Sequence, residues 1–228
     1  MKNTEKQKLI EEIKNGLDPA DIPEEYRDDK TIMMKAIRQH SFALKYASDR
    51  LKNDKDLVLK AVKDDGDMLK YASNELRDNK EVVLEAVKNR WGCALKYASD
   101  RLKDDLGVVK VAIDRHIDSI EYASDRLKDN RDVMLDAIRR SHYEIEYASD
   151  RLKHDYDFIV DAYKANRDID SPVINLDAET KRLIDSAKKM IEEKKPSLSS
   201  VLDKAEKASA EHNSKLNTQS KDDKDLEK

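Results

Sequence analysis

Leu44-Lys45-Tyr46-Ala47-Ser48-Asp49-Arg50-Leu51-Lys52 is the stretch on which the fold turns, because the chain repeats it. Near copies run from Leu69 to Arg77, Leu95 to Lys103, Ile120 to Lys128 and Ile145 to Lys153. Their tyrosines, Tyr46, Tyr71, Tyr97, Tyr122 and Tyr147, are spaced 25, 26, 25 and 25 residues apart. Five copies in register mark a tandem array. A unit this short cannot bury an apolar face alone and gains stability only by stacking on its neighbours. The expectation is an all-α fold, an α-solenoid of tandem two-helix repeats of about 25 residues, advancing roughly 8–10 Å per unit at usual helix packing distances.

The first helix of each unit follows a short polar residue: Asp29, Asp54, Asn79, Asp105, Asn130 or Asp155. Such side chains accept hydrogen bonds from the free N–H groups of a first turn. An acid follows at Asp56, Glu81, Asp132 and Asp157, where the helix dipole favours it. Apolar pairs then recur four residues apart. Leu57 and Val58 are followed by Ala61 and Val62, Val82 and Val83 by Ala86 and Val87. That period gives one apolar stripe. Gly66 and Trp91-Gly92 stand where a glycine closes a helix. The second helix is shorter, with Leu44, Ala47 and Leu51 as its stripe. Alanine holds the middle position in every copy (Ala47, Ala72, Ala98, Ala123, Ala148), so helices can approach closely there.

Composition narrows the function classes. The 228 residues include 45 Lys or Arg and 49 Asp or Glu, and the net charge of −4 is too small to mark a general nucleic-acid binder. No apolar run approaches the roughly 18 residues of a membrane span, and no apolar stretch follows the first lysines, so neither a membrane segment nor a secretory signal is expected. A single cysteine, Cys93, makes no intramolecular disulfide and anchors no zinc site of Cys spacing. It is expected to be a buried, inert thiol.

The array has atypical ends, as a solenoid facing water requires. Ile22, Pro23 and Tyr26 replace Ala47, Ser48 and Leu51 in a degenerate first unit, and Leu9, Ile10 and Ile13 suggest a short helix before it. After Phe158 to Lys164 no Tyr-Ala-Ser follows; Asp170-Ser171-Pro172 breaks the pattern, and Asp177 is placed to cap a closing helix. The division is therefore residues 1–43 as cap and degenerate first repeat, 44–165 as tandem repeats, 166–195 as closing helix and 196–228 as a mostly disordered tail. Within that tail, Ser197 to Leu216 suits a helix formed on a partner.

The unit resembles the repeat family catalogued as domain of unknown function 4116. The carrying pattern is an N-capped helix ending in Ala-Val, a small turn, and Leu-x-Tyr-Ala-Ser-x-x-Leu-Lys, over about residues 22–165. The resemblance implies a helical repeat and brings no established activity, cofactor or catalytic residue.

Two columns of the repeat read as structure. The tyrosine ladder (Tyr46, Tyr71, Tyr97, Tyr122, Tyr147) offers rings that stack nucleobases in some helical repeats. Its uniformity favours rings filling the wedge between units. The Asp-Arg column (Asp49-Arg50, Asp100-Arg101, Asp125-Arg126, Asp150-Arg151) becomes Asn74-Glu75 in one copy. Sequence neighbours do not face each other on a helix, so the joint change suggests an Asp–Arg ladder between units.

Other polar columns change in order along the chain. Lys45, Lys70 and Lys96 give way to Glu121 and Glu146; Lys35 and Lys60 give way to Glu85, Val111, Asp136 and Asp161. Residues 22–94 carry a net +1 and residues 95–170 a net −4. Lys45, Lys70, Lys96, Glu121, Glu146, Lys60, Glu85, Asp136 and Asp161 are the candidate partner surface, with drift among solvated side chains as the alternative.

His40 and His116 share a column three units apart, roughly 24–30 Å, which is too far for one metal ion. His142 and His154 lack a second His or Cys ligand at i+4, and His212 lies in the tail. No phosphate loop, His-Glu-x-x-His or Gly-x-Ser-x-Gly is present. No catalytic, cofactor or metal residues are assigned. The expectation is a non-enzymatic, monomeric, cytoplasmic scaffold presenting a curved, charge-polarised surface to a protein partner. The alternative is a nucleic-acid-binding repeat, or an inhibitor of such a protein acting through the acidic half.

Overall fold

Each long helix begins at the residue its cap dictates. The computed structural model describes residues 2–89 and 93–193, and among them the regular structure is helical throughout. After α1 (Lys2–Lys14), the series runs α2 (Lys30–Gln39), α3 (Asp49–Lys52), α4 (Lys55–Asp64), α5 (Asn74–Arg77), α6 (Lys80–Val87), α7 (Asp100–Lys103) and α8 (Leu106–Arg115). It continues with α9 (Asp125–Lys128), α10 (Arg131–Arg140), α11 (Asp150–Lys153), α12 (Tyr156–Ala165) and the closing α13 (Ala178–Glu193). Asp54 accepts from the Leu57 N–H, and Asn79, Asp105, Asn130 and Asp155 make the same bond in their units. Asp29 caps α2, and Asp177 accepts from the Glu179 and Thr180 N–H groups at the head of α13.

The unit has three parts where the sequence suggested two. A long α-helix is followed by a 3-10 turn and then a single α-turn: in the first full unit Lys30–Gln39, Ser41–Tyr46 and Asp49–Lys52. The expected second helix is broken at Ala47, which is extended (φ −63°, ψ 153°). Three residues per 3-10 turn set Leu44 and Ala47 on one side, so the stripe is buried without a continuous helix. Ser48 causes the restart: its Oγ accepts from the Leu51 N–H and caps α3. Ser73, Ser99, Ser124 and Ser149 do the same in their units.

Stacking follows chain order. α1 lies on α2, α2 on α4, α4 on α6, α6 on α8, α10 on α12 and α12 on α13. The buried residues form one apolar cluster running from Leu9 to Ala187. Leu57, Val58, Ala61 and Val62 of α4 are all at 0 % exposure, although α4 is only ten residues long; its neighbours on both sides complete the burial. Each fully buried Leu or Val contributes about 1.5–3 kcal/mol, so removing one unit strips the stabilisation of two others.

Gly66 corrects a second expectation. It does not close α4 in a left-handed conformation; the extended Asp65 ends that helix. Gly66 opens the next 3-10 turn and is buried. A Cβ there would lie 2.3 Å from the Ala86 carbonyl oxygen, so glycine is required for the close approach of α6. Trp91-Gly92, His212 and the tail expected from residue 196 lie outside the described residues.

Candidate interaction surface

The residues that join one unit to the next are the serines of Tyr-Ala-Ser. With Ala47 extended, the Ser48 N–H points back and donates to the Arg27 carbonyl of the preceding unit. Ser73, Ser99, Ser124 and Ser149 donate likewise to Lys52, Arg77, Lys103 and Lys128. Each serine hydroxyl also donates to the residue ending the preceding single turn: Asp28, Asn53, Asp78, Asp104 or Asp129. The serine is thus cap and inter-unit tie at once. Five identical serines ahead of a polar residue were the signal for it, hidden by the three-and-four spacing of Leu44, Ala47 and Leu51.

The arginines form a ladder between units, but with other acids than those beside them. Arg50 Nε lies 3.0 Å from Asp28, Arg101 3.0 Å from Asp78, Arg126 2.9 Å from Asp104 and Arg151 2.9 Å from Asp129. A second nitrogen of each arginine donates to the backbone oxygen of the same aspartate. The serine hydroxyl, then the guanidinium, hold these four carboxyls below the ordinary 3.8. Among the described residues, Asp49, Asp100 and Asp150 instead pair with the lysine three residues on, at 3.9, 3.9 and 3.0 Å, and Asp125 is exposed. The odd copy now has a reason. Where the acid becomes Asn53, the arginine becomes Glu75, and the Asn53 amide donates to it at 2.9 Å.

A second ladder ties the heads of the long helices. Lys6 meets Asp29 at 2.5 Å, Lys30 meets Asp54 at 2.7 Å, Lys55 meets Glu81 at 2.6 Å and Lys80 meets Asp105 at 2.6 Å. Leu106 and Asn130 interrupt it, both neutral, before Arg131 meets Asp161 at 2.6 Å.

With these ties made, the tyrosine face is what varies. All five tyrosines are half-buried. The Lys45, Lys70 and Lys96 ammonium groups lie 5.3, 4.9 and 4.7 Å from the ring centres of Tyr46, Tyr71 and Tyr97, close enough for cation–π attraction. Surface depressions of about 430, 270 and 320 Å³ run beside these three tyrosines. At Tyr122 and Tyr147 the covering lysine is replaced by Glu121 and Glu146. Burial pushes both phenols up, and Glu121 adds to the shift at each. Glu146 also accepts the Asn175 N–H at 2.6 Å, fixing the chain before α13.

The other candidate column is already paired, mostly within its own helices and at Asp161 also with the preceding unit. Lys60 meets Asp64 at 2.7 Å, Glu85 meets Lys88 at 3.7 Å, Asp136 meets Arg139 at 3.0 Å, and Asp161 holds Arg131 and Lys164. His116 Nε2 contacts the Asn89 carbonyl at 3.2 Å, and His154 Nε2 meets Asp177 at 3.3 Å. Cys93 is half-buried, and burial pushes its thiol up. Among the described residues no group of three or more His, Cys, Asp or Glu is arranged to hold a metal, and no helix is long and apolar enough to cross a membrane.

A family model described as Domain of unknown function (DUF4116) matches residues 13–52, 29–77, 54–103, 79–128 and 130–169. These windows of about two units overlap as far as residue 128, and the next begins at residue 130. No curated protein matches the chain, and no solved structure does.

Proposed function

The chain belongs to this family of helical repeats, and we propose that it is a protein-interaction scaffold whose partner surface is the tyrosine face. One observation carries the reading. The repeated Ser, Arg and ladder aspartates are consumed in holding units together, whereas Lys45, Lys70, Lys96, Glu121 and Glu146 change sign along an indented face. A stack of this kind holds variable side chains at a fixed pitch, and a few anchors among them supply the affinity. The role is non-enzymatic, in a cytoplasmic monomer that needs no cofactor.

Affinity capture of the tagged full chain from native lysate, with and without nuclease, tests this beside a Lys45→Glu/Lys70→Glu/Lys96→Glu variant. A protein partner retained after nuclease and lost from the variant supports the scaffold. Capture that vanishes with nuclease, or is unchanged in the variant, overturns it. Light scattering and cell fractionation check the monomer and the compartment.

A further inference from the structure

The 3-10 turns Ile117–Tyr122 and His142–Tyr147 pack against each other. They gather Asp118, Glu121, Glu144 and Glu146 round Tyr147, whose phenol feels all four charges. Elsewhere the ladder acids meet arginines and lysines, but Asp118 and Glu121 are exposed and meet no described cation. The neighbouring bases are engaged: Lys96 on the Tyr97 ring at 4.7 Å, Arg167 on the Tyr163 ring at 4.7 Å.

Glu144 is the second, independent sign. It is 2 % exposed; Ser141 hydrogen-bonds its carboxyl, but its Oε2 meets no donor among the described residues. Burial pushes its carboxyl up, and the charges of Asp118 and Glu146 add to that shift, so it belongs to the same group. Its column holds Ala43, Met68, Ala94, Ser119 and Ile169 in the other units, all buried. Packing therefore asks for a small or apolar side chain there, and a buried carboxyl without a counter-charge costs stability. A cation arriving from outside supplies that counter-charge.

We propose that these two turns seat an arginine side chain of a basic protein segment, with Asp118 and Glu121 at the surface and Glu144 behind them. The planar guanidinium fork matches paired carboxylates. The half-buried Tyr122 and Tyr147 offer ring faces beside it. The seat rests on the reading of the tyrosine face as the partner surface and names the chemistry of what its acidic end takes.

The test uses the full chain and a fluorescein-labelled peptide of alternating arginine and serine, read by anisotropy, with a citrulline twin as the uncharged control. The arginine peptide binds and the citrulline peptide does not. Asp118→Asn/Glu121→Gln weakens binding about tenfold, two exposed pairs' worth. Glu144→Gln, a near-isosteric change that keeps the fold, also weakens it. Asp49→Asn/Asp100→Asn makes the same change in net charge at exposed sites elsewhere and leaves binding unchanged. Failure of the arginine peptide to bind, equal binding of the citrulline peptide, or equal weakening by the Asp49/Asp100 pair overturns the seat. If a lysate partner is lost on reversing Lys45, Lys70 and Lys96 yet is retained by Asp118→Asn/Glu121→Gln, the seat is wrong and the scaffold stands.

Discussion

The junction between α4 and α6 and the junction between α8 and α10 are made from the same motif and come out differently. At α4/α6, Gly66 lets the α6 backbone close in, Leu59 is half-buried beside it, and Lys55 crosses to Glu81. At α8/α10, Ile117 stands in the place of Gly66, Lys110 in the place of Leu59, and Leu106 in the place of Lys55. There the long helices approach less closely than the other consecutive pairs. A cleft of about 470 Å³ opens between them, lined by Lys110, Asp132, Leu135 and Arg139, and Arg140 spans it to Asp114 at 2.6 Å. The windows of the family match end and restart at this junction. On the Tyr-Ala-Ser edge the two junctions are the same, with Arg101 3.0 Å from Asp78 and Arg151 2.9 Å from Asp129. The difference separates two jobs. The serine edge sets the pitch everywhere, and the long helices decide how tightly each pair closes.

Acid should have the largest effect, because it acts on every rung of the serine edge together. The folded-state pKa values of Asp28, Asp78, Asp104 and Asp129 lie below 3.8, so their contribution is complete above about pH 4 and is lost as pH falls through the folded values. Tm measured from pH 7 to pH 2 should be flat at first and then fall. Hydrogen exchange should show both junctions loosening together; loosening at α8/α10 alone would break the claim of a uniform edge.

Gly66→Ala should come next, costing about 1–3 kcal/mol in urea unfolding because its Cβ meets backbone that a rotamer change cannot move. A neutral result would remove the close-approach account of the tight junction. Ser99→Ala and Ser149→Ala should each cost about 1 kcal/mol, the loss of a cap, and by the same amount at both junctions. Lys110→Leu should tighten the loose junction and gain up to about 1 kcal/mol from a half-buried leucine, with slower hydrogen exchange in α8 and α10. The smallest effect belongs to the odd rung. Glu75→Arg alone should destabilise, and Asn53→Asp/Glu75→Arg should restore stability, with a coupling of about 0.2–1 kcal/mol in a double-mutant cycle.

The helix starts were legible because a cap is a bond between near neighbours: Asp54 and Leu57 are three residues apart. The break at Ala47-Ser48 was not, because 3-10 and α periods place Leu44, Ala47 and Leu51 on one side alike. The correlated change at Asn74-Glu75 was visible and pointed between units. Its partner, Asn53, lies 22 residues back, at a separation no local rule supplies. The variable charged columns could be read off the repeat, but not that Lys60, Glu85 and Asp136 are paired with charges three or four residues away and Asp161 also with Arg131 of the preceding unit, while Glu121 meets no described cation. Glu144 could have been found as the one acid in an otherwise small or apolar column, had that column been known to face inward.

By itself the amino-acid order determined that this protein is a stack of near-identical helical units, because a 25-residue period carrying one apolar stripe has nowhere to hide that stripe except against its own kind. Only the tertiary structure decided which acid each arginine meets, which junction closes tightly and which carboxyl is buried without a counter-charge. Those outcomes depend on side chains a full unit apart reaching the same few ångströms, and volume and charge at that distance are set by the packing of whole helices rather than by any run of neighbours.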